Sequence, residues 1–406
     1  MNKKLIKISL RHNSIYPFQY LIWTLLRDVE TTLISYFFNL GYLLIYTPLM
    51  FFGEFLAGLI FYLYQKKFLS KNKIGVLSKF LTDNFMKTEE KFVKDSKGKI
   101  IFLLITSALC DFVQFLVLSQ TSKFIIISDS IEQRLRGIYT INYALFYYYI
   151  LRLPIFRHHI FSLVIIGICV FIIIITEFIF QEYNIFLSIG DFILVFVFIF
   201  IAIFFSTLLE SIEKYLFEYD QLNPFFVLML EGIFGFILTS IYCVFQAPFD
   251  DIIIFKKNNT IYKFIILIFC LILYVILSGG KNSFRVITTK IYNPMTSSFM
   301  EYIFNPFYLI YYYITETDFI SYGKSNFVCF LINLIISLIV SFCGGIFNEF
   351  IVLFCCGLES DTYSQVRKRA KTDYKFFELM GKEDDEEQNE SLEYTIPKAN
   401  TNSTSE

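Results

Sequence analysis

Histidine is almost missing from this chain: His12, His158 and His159 are the three present in 406 residues. That scarcity argues against the commonest protein zinc sites, which draw on imidazole. Charge is sparse as well, with Asp, Glu, Lys and Arg at 17% against about 25% in an average soluble domain. Eight cysteines are present, but none forms a Cys-x-x-Cys pair. Most sit inside apolar runs, so they read as reduced, small core residues rather than a disulfide or metal framework. Gly-x-Ser-x-Gly, His-Glu-x-x-His and the phosphate-binding Gly-rich loop do not occur, which leaves catalysis without a recognisable constellation. A basic stripe interleaved with aromatics is also lacking, so nucleic acid is not an expected partner. The N-terminal "MNKKLIKISLRHNSIYPF" has neither the unbroken apolar stretch nor the small-residue cleavage site of a signal peptide. No catalytic residue, no metal and no bound cofactor is therefore expected.

What the chain has in excess is apolar surface. Hydrophobic residues make up 56%, with 51 Phe and 28 Tyr but one Trp. A water-soluble core could not hide this much, so the surplus must face lipid. The Phe, Ile, Tyr, Asn and Lys bias fits the codon usage of an AT-rich genome, and the aromatics are read mainly as composition. A spanning helix needs about 20 mostly apolar residues. Nine segments meet that test, near 42–64, 100–120, 134–151, 159–179, 186–209, 224–246, 262–279, 292–314 and 327–354. A tenth, degenerate helix lies upstream near 14–41, interrupted by Arg27, Asp28 and Glu30.

Lys and Arg favour the cytosolic loops. The Lys-rich 65–99 segment, "RLPIFRHH", "KNSFRVITTK" and the post-membrane "VRKRAKTDYK" all fall on one side with this helix count. The Lys-rich N-terminus also belongs in the cytosol, which requires an even number of crossings and favours ten helices. The resulting organisation is an N-terminal segment (1–41), a first half (42–179), a second half (180–356) and a basic-then-acidic tail (357–406) with little to bury, expected to be disordered. The halves show internal likeness. "FYYYI" ends the fourth span and "FYLIYYYI" the ninth, and Glu54 and Glu231 each stand beside a glycine in the second and seventh. Both pairs are five helices apart, the spacing of an inverted repeat in transporters. The expected fold is an all-α polytopic membrane bundle of about ten helices, in two inverted five-helix halves.

Four stretches carry a family resemblance over roughly residues 42–370: "MFFGEF" (50–55), "ALCDF" (108–112), "QRLRG" (133–137) and "EGIFGF" (231–236). "LLESIEK" (208–214) adds a weaker fifth. Together they resemble the second, third, fourth, seventh and sixth helices of the drug/metabolite transporter superfamily (EamA-like), specifically the F-type members of solute carrier family 35, which are related to nucleotide-sugar transporters. The first helix departs from that pattern. The resemblance implies secondary transport of a small solute through a central cavity, without ATP or a cofactor.

The charged residues give the site candidates. Asp129, Glu132 and Arg136 share one helix face, with Gln133 beside them. Two readings stand. They are a half-wet luminal helix cap, or Gln133 and Arg136 face a water-filled cavity and meet a polar or anionic solute, with Asp129 and Glu132 pairing Arg136 at rest. Gly137 would let a neighbouring helix or a ligand come close. Glu54, Asp111 and Glu231 are ionisable residues inside spans, which are functional candidates by default; buried packing carboxylates are the alternative. Lys290, at the head of the ninth helix, would mirror Arg136 or simply anchor that helix in the cytosol. Gly232 and Gly235 are packing candidates, and Pro306 is a candidate hinge in the ninth helix. Asn258, in "KNNTI", is a glycosylation sequon on a luminal loop.

The function expected is alternating-access transport of a small polar, anionic organic solute, with the bilayer as environment and a homodimer as the self-association considered. A non-transporting scaffold or receptor-like protein is the alternative, and an ion channel the second. The membrane expected is a eukaryotic endomembrane, Golgi, endosome, lysosome or ER, with the plasma membrane as alternative.

Overall fold

Lipid offers no partner for backbone N–H and C=O groups, so a chain this apolar must satisfy them within each segment, and helices do so. The computed structural model describes residues 6–8, 15–38, 46–69, 97–124, 135–152, 155–181, 189–220, 222–246, 261–315, 324–354, 357–362 and 365. Gln133, Asp129, Glu132, Asn258, most of the 65–99 segment and the tail beyond 365 lie outside them.

The helices are α1 (Ile15–Phe38), α2 (Tyr46–Leu69), α3 (Lys97–Phe124), α4 (Gly137–Tyr149), α5 (Arg157–Gln181), α6 (Ile189–Glu218), α7 (Pro224–Gln246), α8 (Ile261–Ile291), α9 (Pro294–Tyr302), α10 (Asn305–Thr315) and α11 (Lys324–Phe347). Among the described residues, seven are long and apolar enough to cross a bilayer: α2, α3, α5, α6, α7, α8 and α11. Their outer faces keep Ile168, Phe171, Ile175, Phe269 and Ile276 exposed, a surface suited to lipid tails rather than water. The chain is a multi-pass, all-α membrane protein.

Helix starts follow local chemistry. Asn223-Pro224, Asn293-Pro294 and Asn305-Pro306 each stand where a helix begins. The Asn223 and Asn293 side chains accept from Phe225 N and Thr296 N, both at 2.9 Å. Proline at the first helical position loses no hydrogen bond, because that N–H has no intrahelical partner. The expected ninth span is interrupted at Ile303–Phe304, directly ahead of Pro306, and becomes two short helices, α9 and α10.

Three boundaries differ from the sequence reading, one of them the last span, expected to 354, whose helix α11 stops at Phe347 ahead of an extended segment at Ile351–Leu353. The sequence predicts an eighth span ending near 279 and then a cytosolic loop "KNSFRVITTK", but α8 runs unbroken for 31 residues to Ile291. Likewise α6 continues past 209 to Glu218, through Glu210, Glu213 and Lys214. In α8 and α6 charge halts the apolar count, whereas the backbone continues because those charges are buried against other helices. At its end, the α8 carbonyls of Lys290 and the following Tyr292 accept from Lys214 Nζ at 3.0 and 2.8 Å; a cation suits a helix C-terminus.

The packing has a recurring plan. α2 crosses α7, α8 lies along both α1 and α2, α3 lies along both α6 and α7, and α5 packs on α11. Small residues set the closest crossings. A Cβ on Gly232 would fall on the Phe55 backbone, and one on Gly235 would enter the Phe51 ring. One on Gly137 would stand 2.8 Å from Val170 Cγ2. Finally, β1 (Ile6–Ile8) pairs antiparallel with β2 (Ile351–Leu353), beyond α11. The two ends of the described chain therefore meet at one end of the bundle.

Candidate functional site

The C-terminal half of α8 is buried by protein, not lipid: Ser278, Asn282, Arg285 and Thr289 all lie inside the bundle. Lys281 and Arg285 are four residues apart, so both cations project from one side of that helix. Each enters a different ionic cluster.

The first cluster surrounds Arg285. Its Nη1 donates to Glu213 Oε2 on α6 at 2.8 Å, with the Glu213 side chain fully buried. Its Nη2 stands 4.0 Å from Glu231 Oε2 on α7. One turn back, Asn282 Nδ2 donates to Glu54 Oε1 on α2 at 2.5 Å. Asp111 on α3 and Glu210 on α6 lie within electrostatic reach of the same guanidinium. Five carboxyl groups thus gather from four helices about one arginine. Glu54 Oε2, Glu213 Oε1 and Glu231 Oε1 are buried with no hydrogen-bond partner among the described residues.

The second cluster centres on Glu301 of α9. Its carboxylate accepts from Tyr20 on α1 and from Arg136 at the head of α4, and pairs with Lys281 Nζ at 3.3 Å. The ammonium also lies 5.7 Å from the Tyr20 ring centroid, within cation–π range. Tyr302 OH donates to the Arg136 carbonyl, which ties α9 to the start of α4. A side arm follows on α1, where Arg27 pairs with Asp28 at 3.0 Å and Tyr308 OH donates to Asp28 Oδ2 at 2.9 Å. A carboxylate held by two cations and a phenol is well satisfied, and charge-assisted hydrogen bonds are the stronger kind.

The sequence candidates are distributed as follows. Glu54, Asp111 and Glu231 come together around Arg285. Arg136 joins the Glu301 cluster, where it meets an acid 165 residues away; Asp129 and Glu132 lie outside the described residues. Lys290 is in the last turn of α8 and not at the head of the ninth helix. Its carbonyl takes part in the Lys214 cap, and Lys281 and Arg285 lie further back along the same helix. Gly137, Gly232 and Gly235 lie at close helix contacts.

Sequence reasoning missed Lys281, Arg285, Glu210, Glu213, Glu301 and Tyr20. A signal existed for some of them. Lys281 and Arg285 share a helical face by spacing, as do Glu210, Glu213 and Lys214. Nothing local marks Tyr20 or Glu301. Comparison with protein-family models and with curated proteins finds no match to this chain.

Proposed function

We propose that this chain is a secondary transporter that moves a small polar, anionic organic solute by alternating access. The observation that carries the reading is the Glu301 cluster. Helices α1, α4, α8 and α9 bring Tyr20, Arg136, Lys281 and Glu301 to one half-buried point. Ionisable groups inside a membrane bundle mark solute or ion pathways. Arg136 and Lys281 form a receptor for a carboxylate or phosphate, and Glu301 is the internal anion that occupies it at rest. An incoming anionic solute competes with Glu301 for the same donors, since guanidinium binds either anion bidentately.

The reading takes ten crossings, adding α1, α4 and a broken span of α9 and α10 to the seven long apolar helices. In that scheme α1, α2, α3, α4 and α5 correspond to α6, α7, α8, α9–α10 and α11. The packing plan then maps onto itself: α1 on α8 becomes α6 on α3, and α2 on α8 becomes α7 on α3. The α2–α7 and α5–α11 contacts map to themselves. The β1–β2 ladder adds parity, because ends that meet on one side need an even number of crossings. Inverted halves with a discontinuous helix at the site are a secondary-transporter arrangement. The resemblance to the drug/metabolite transporter superfamily belongs with this proposal, as does a eukaryotic endomembrane as its location.

Uptake into proteoliposomes of purified protein tests it, with nucleotide sugars, nucleotides, vitamins and amino acids as the panel. Saturable uptake of an anionic member supports the reading. No uptake of any member points to a scaffold or receptor-like protein, and stepwise currents without saturable exchange point to a channel.

A further inference from the structure

The Arg285 cluster contains more acid than the Glu301 reading uses. Arg285 draws Glu213 and Glu231 to one guanidinium, at 2.8 and 4.0 Å, and both side chains are buried, at 0% and 2% exposed. Two carboxylates cannot bond to each other, because each offers only acceptors. Glu213 spends Oε2 on Arg285, and the remaining oxygens, Glu213 Oε1 and Glu231 Oε1, have no donor among the described residues.

Charge leads to the same place. The groups gathered about Glu231 and Arg285 are Glu210 and Glu213 from α6, Glu54 from α2, Cys110 and Asp111 from α3 with the Ser107 hydroxyl beside Glu231, and Lys281 and Arg285 from α8. Lys281 is already engaged with Glu301. That leaves one guanidinium against five carboxyl groups. Isolated buried charge is costly enough that such groups neutralise instead. A metal ion is the other way to neutralise them, but no group of His, Cys, Asp and Glu among the described residues has the arrangement to hold one.

We propose that Glu231 is a proton-binding site: it carries an exchangeable proton and donates it to Glu213, while Glu213 remains the anionic partner of Arg285. Release passes the proton from the Glu231 carboxyl to water and leaves a second carboxylate beside Glu213. Arg285 Nη2, at 4.0 Å from Glu231 Oε2, is the donor placed to turn toward it. Because Arg285 and Lys281 are one turn apart on α8, that movement reaches the Glu301 cluster. The proton would then be the coupling ion. This last step rests on the transport reading, whereas the proton site does not.

The test needs no solute. Infrared spectra of the purified protein in lipid are recorded across a pH series, and a hydrophobic carbodiimide, which reacts with protonated carboxyls in apolar surroundings, is mapped by mass spectrometry. The expected result is a protonated-carboxyl band near neutral pH that disappears at alkaline pH, with Glu231 as the labelled site and labelling falling in parallel. Glu231→Gln keeps a donor facing Glu213, so the variant should fold and lose the component of the band that belongs to Glu231. If it does not fold, the wild-type pH series and the labelled site still decide. Absence of the band near neutral pH, label on Glu54 or Asp111 with none on Glu231, or loss of the band on adding sodium at constant pH would each overturn the proposal. A positive proton site together with no uptake by any solute would leave it standing and remove only the transport reading.

Discussion

Replacing Arg285 by Met should cost far more than replacing any one of the acids around it. At 2.8 Å from Glu213, the gross attraction is about 6 kcal/mol for an effective dielectric of roughly 20. Glu231, at 4.0 Å, adds about 4 kcal/mol on the same scale if it is ionised. Desolvating the ions opposes this by several kcal/mol each. The net value of the pair is therefore small, but removing one member strands the other. Arg285 is the shared cation, so Arg285→Met leaves Glu213 buried without compensation and should destabilise by about 3–5 kcal/mol. Glu231→Gln deletes an acid from an acid-rich site and should cost less than about 1 kcal/mol, because the amide can donate where the carboxyl did. Arg285→Met with Glu213→Leu should recover most of the loss, since a buried pair replaced by apolar groups is often neutral. The assay is reversible unfolding in mixed micelles, read by intrinsic fluorescence. If Arg285→Met and Glu231→Gln cost the same, or if the double variant equals the sum of its singles, the cluster is not one electrostatic unit and the reasoning fails.

Gly232→Ala places a methyl on the Phe55 backbone and should destabilise by about 1–3 kcal/mol, as overpacking does. Gly167→Ala, where an added Cβ meets nothing within 4 Å, should instead be neutral or stabilising by up to about 1 kcal/mol, and melting curves of both in one detergent compare them. Epitopes placed ahead of Ile6 and after the chain's end should be accessible from the same face of sealed vesicles, because β1 and β2 pair; opposite faces would mean an odd number of crossings. Asn258→Gln should abolish a glycan-dependent shift in gel mobility after expression in a eukaryotic cell, and glycan on Asn389 or Asn402 instead would invert the topology.

The membrane class was legible because long apolar runs carry their own explanation: without lipid they have no place to go. The charged interior was only half legible. Glu54, Asp111, Glu231 and Arg136 interrupt apolar sequence, and such interruptions are readable one residue at a time. Lys281 and Arg285 were lost to a supposed loop for the same reason in reverse, because a window that counts charge ends the helix where charge begins. The α8 backbone continues since Glu213, Glu231 and Glu301 meet those cations from α6, α7 and α9. No local pattern states which distant acid meets which base. The Arg136 partner shows this most plainly. Helical spacing points only to near acids such as Asp129 and Glu132, which lie outside the described residues, and nothing in it points to Glu301 on the broken helix. Its selection depends on the fold of α9 against α4.

The most direct test of the central claim is ligand-induced thermal stabilisation, compared between wild type and Arg136→Ala. A solute that binds the folded state raises apparent stability by mass action, about 2.7 kcal/mol at one hundred times its dissociation constant. The account predicts that at least one anionic organic solute stabilises the wild-type protein. Arg136→Ala should remain inserted and folded, with Glu301 still held by Lys281 and Tyr20, yet give no shift with that solute. Arg136→Lys should give a reduced one, because it keeps the charge and loses the fork. An equal shift in wild type and Arg136→Ala would place the solute elsewhere and contradict the account.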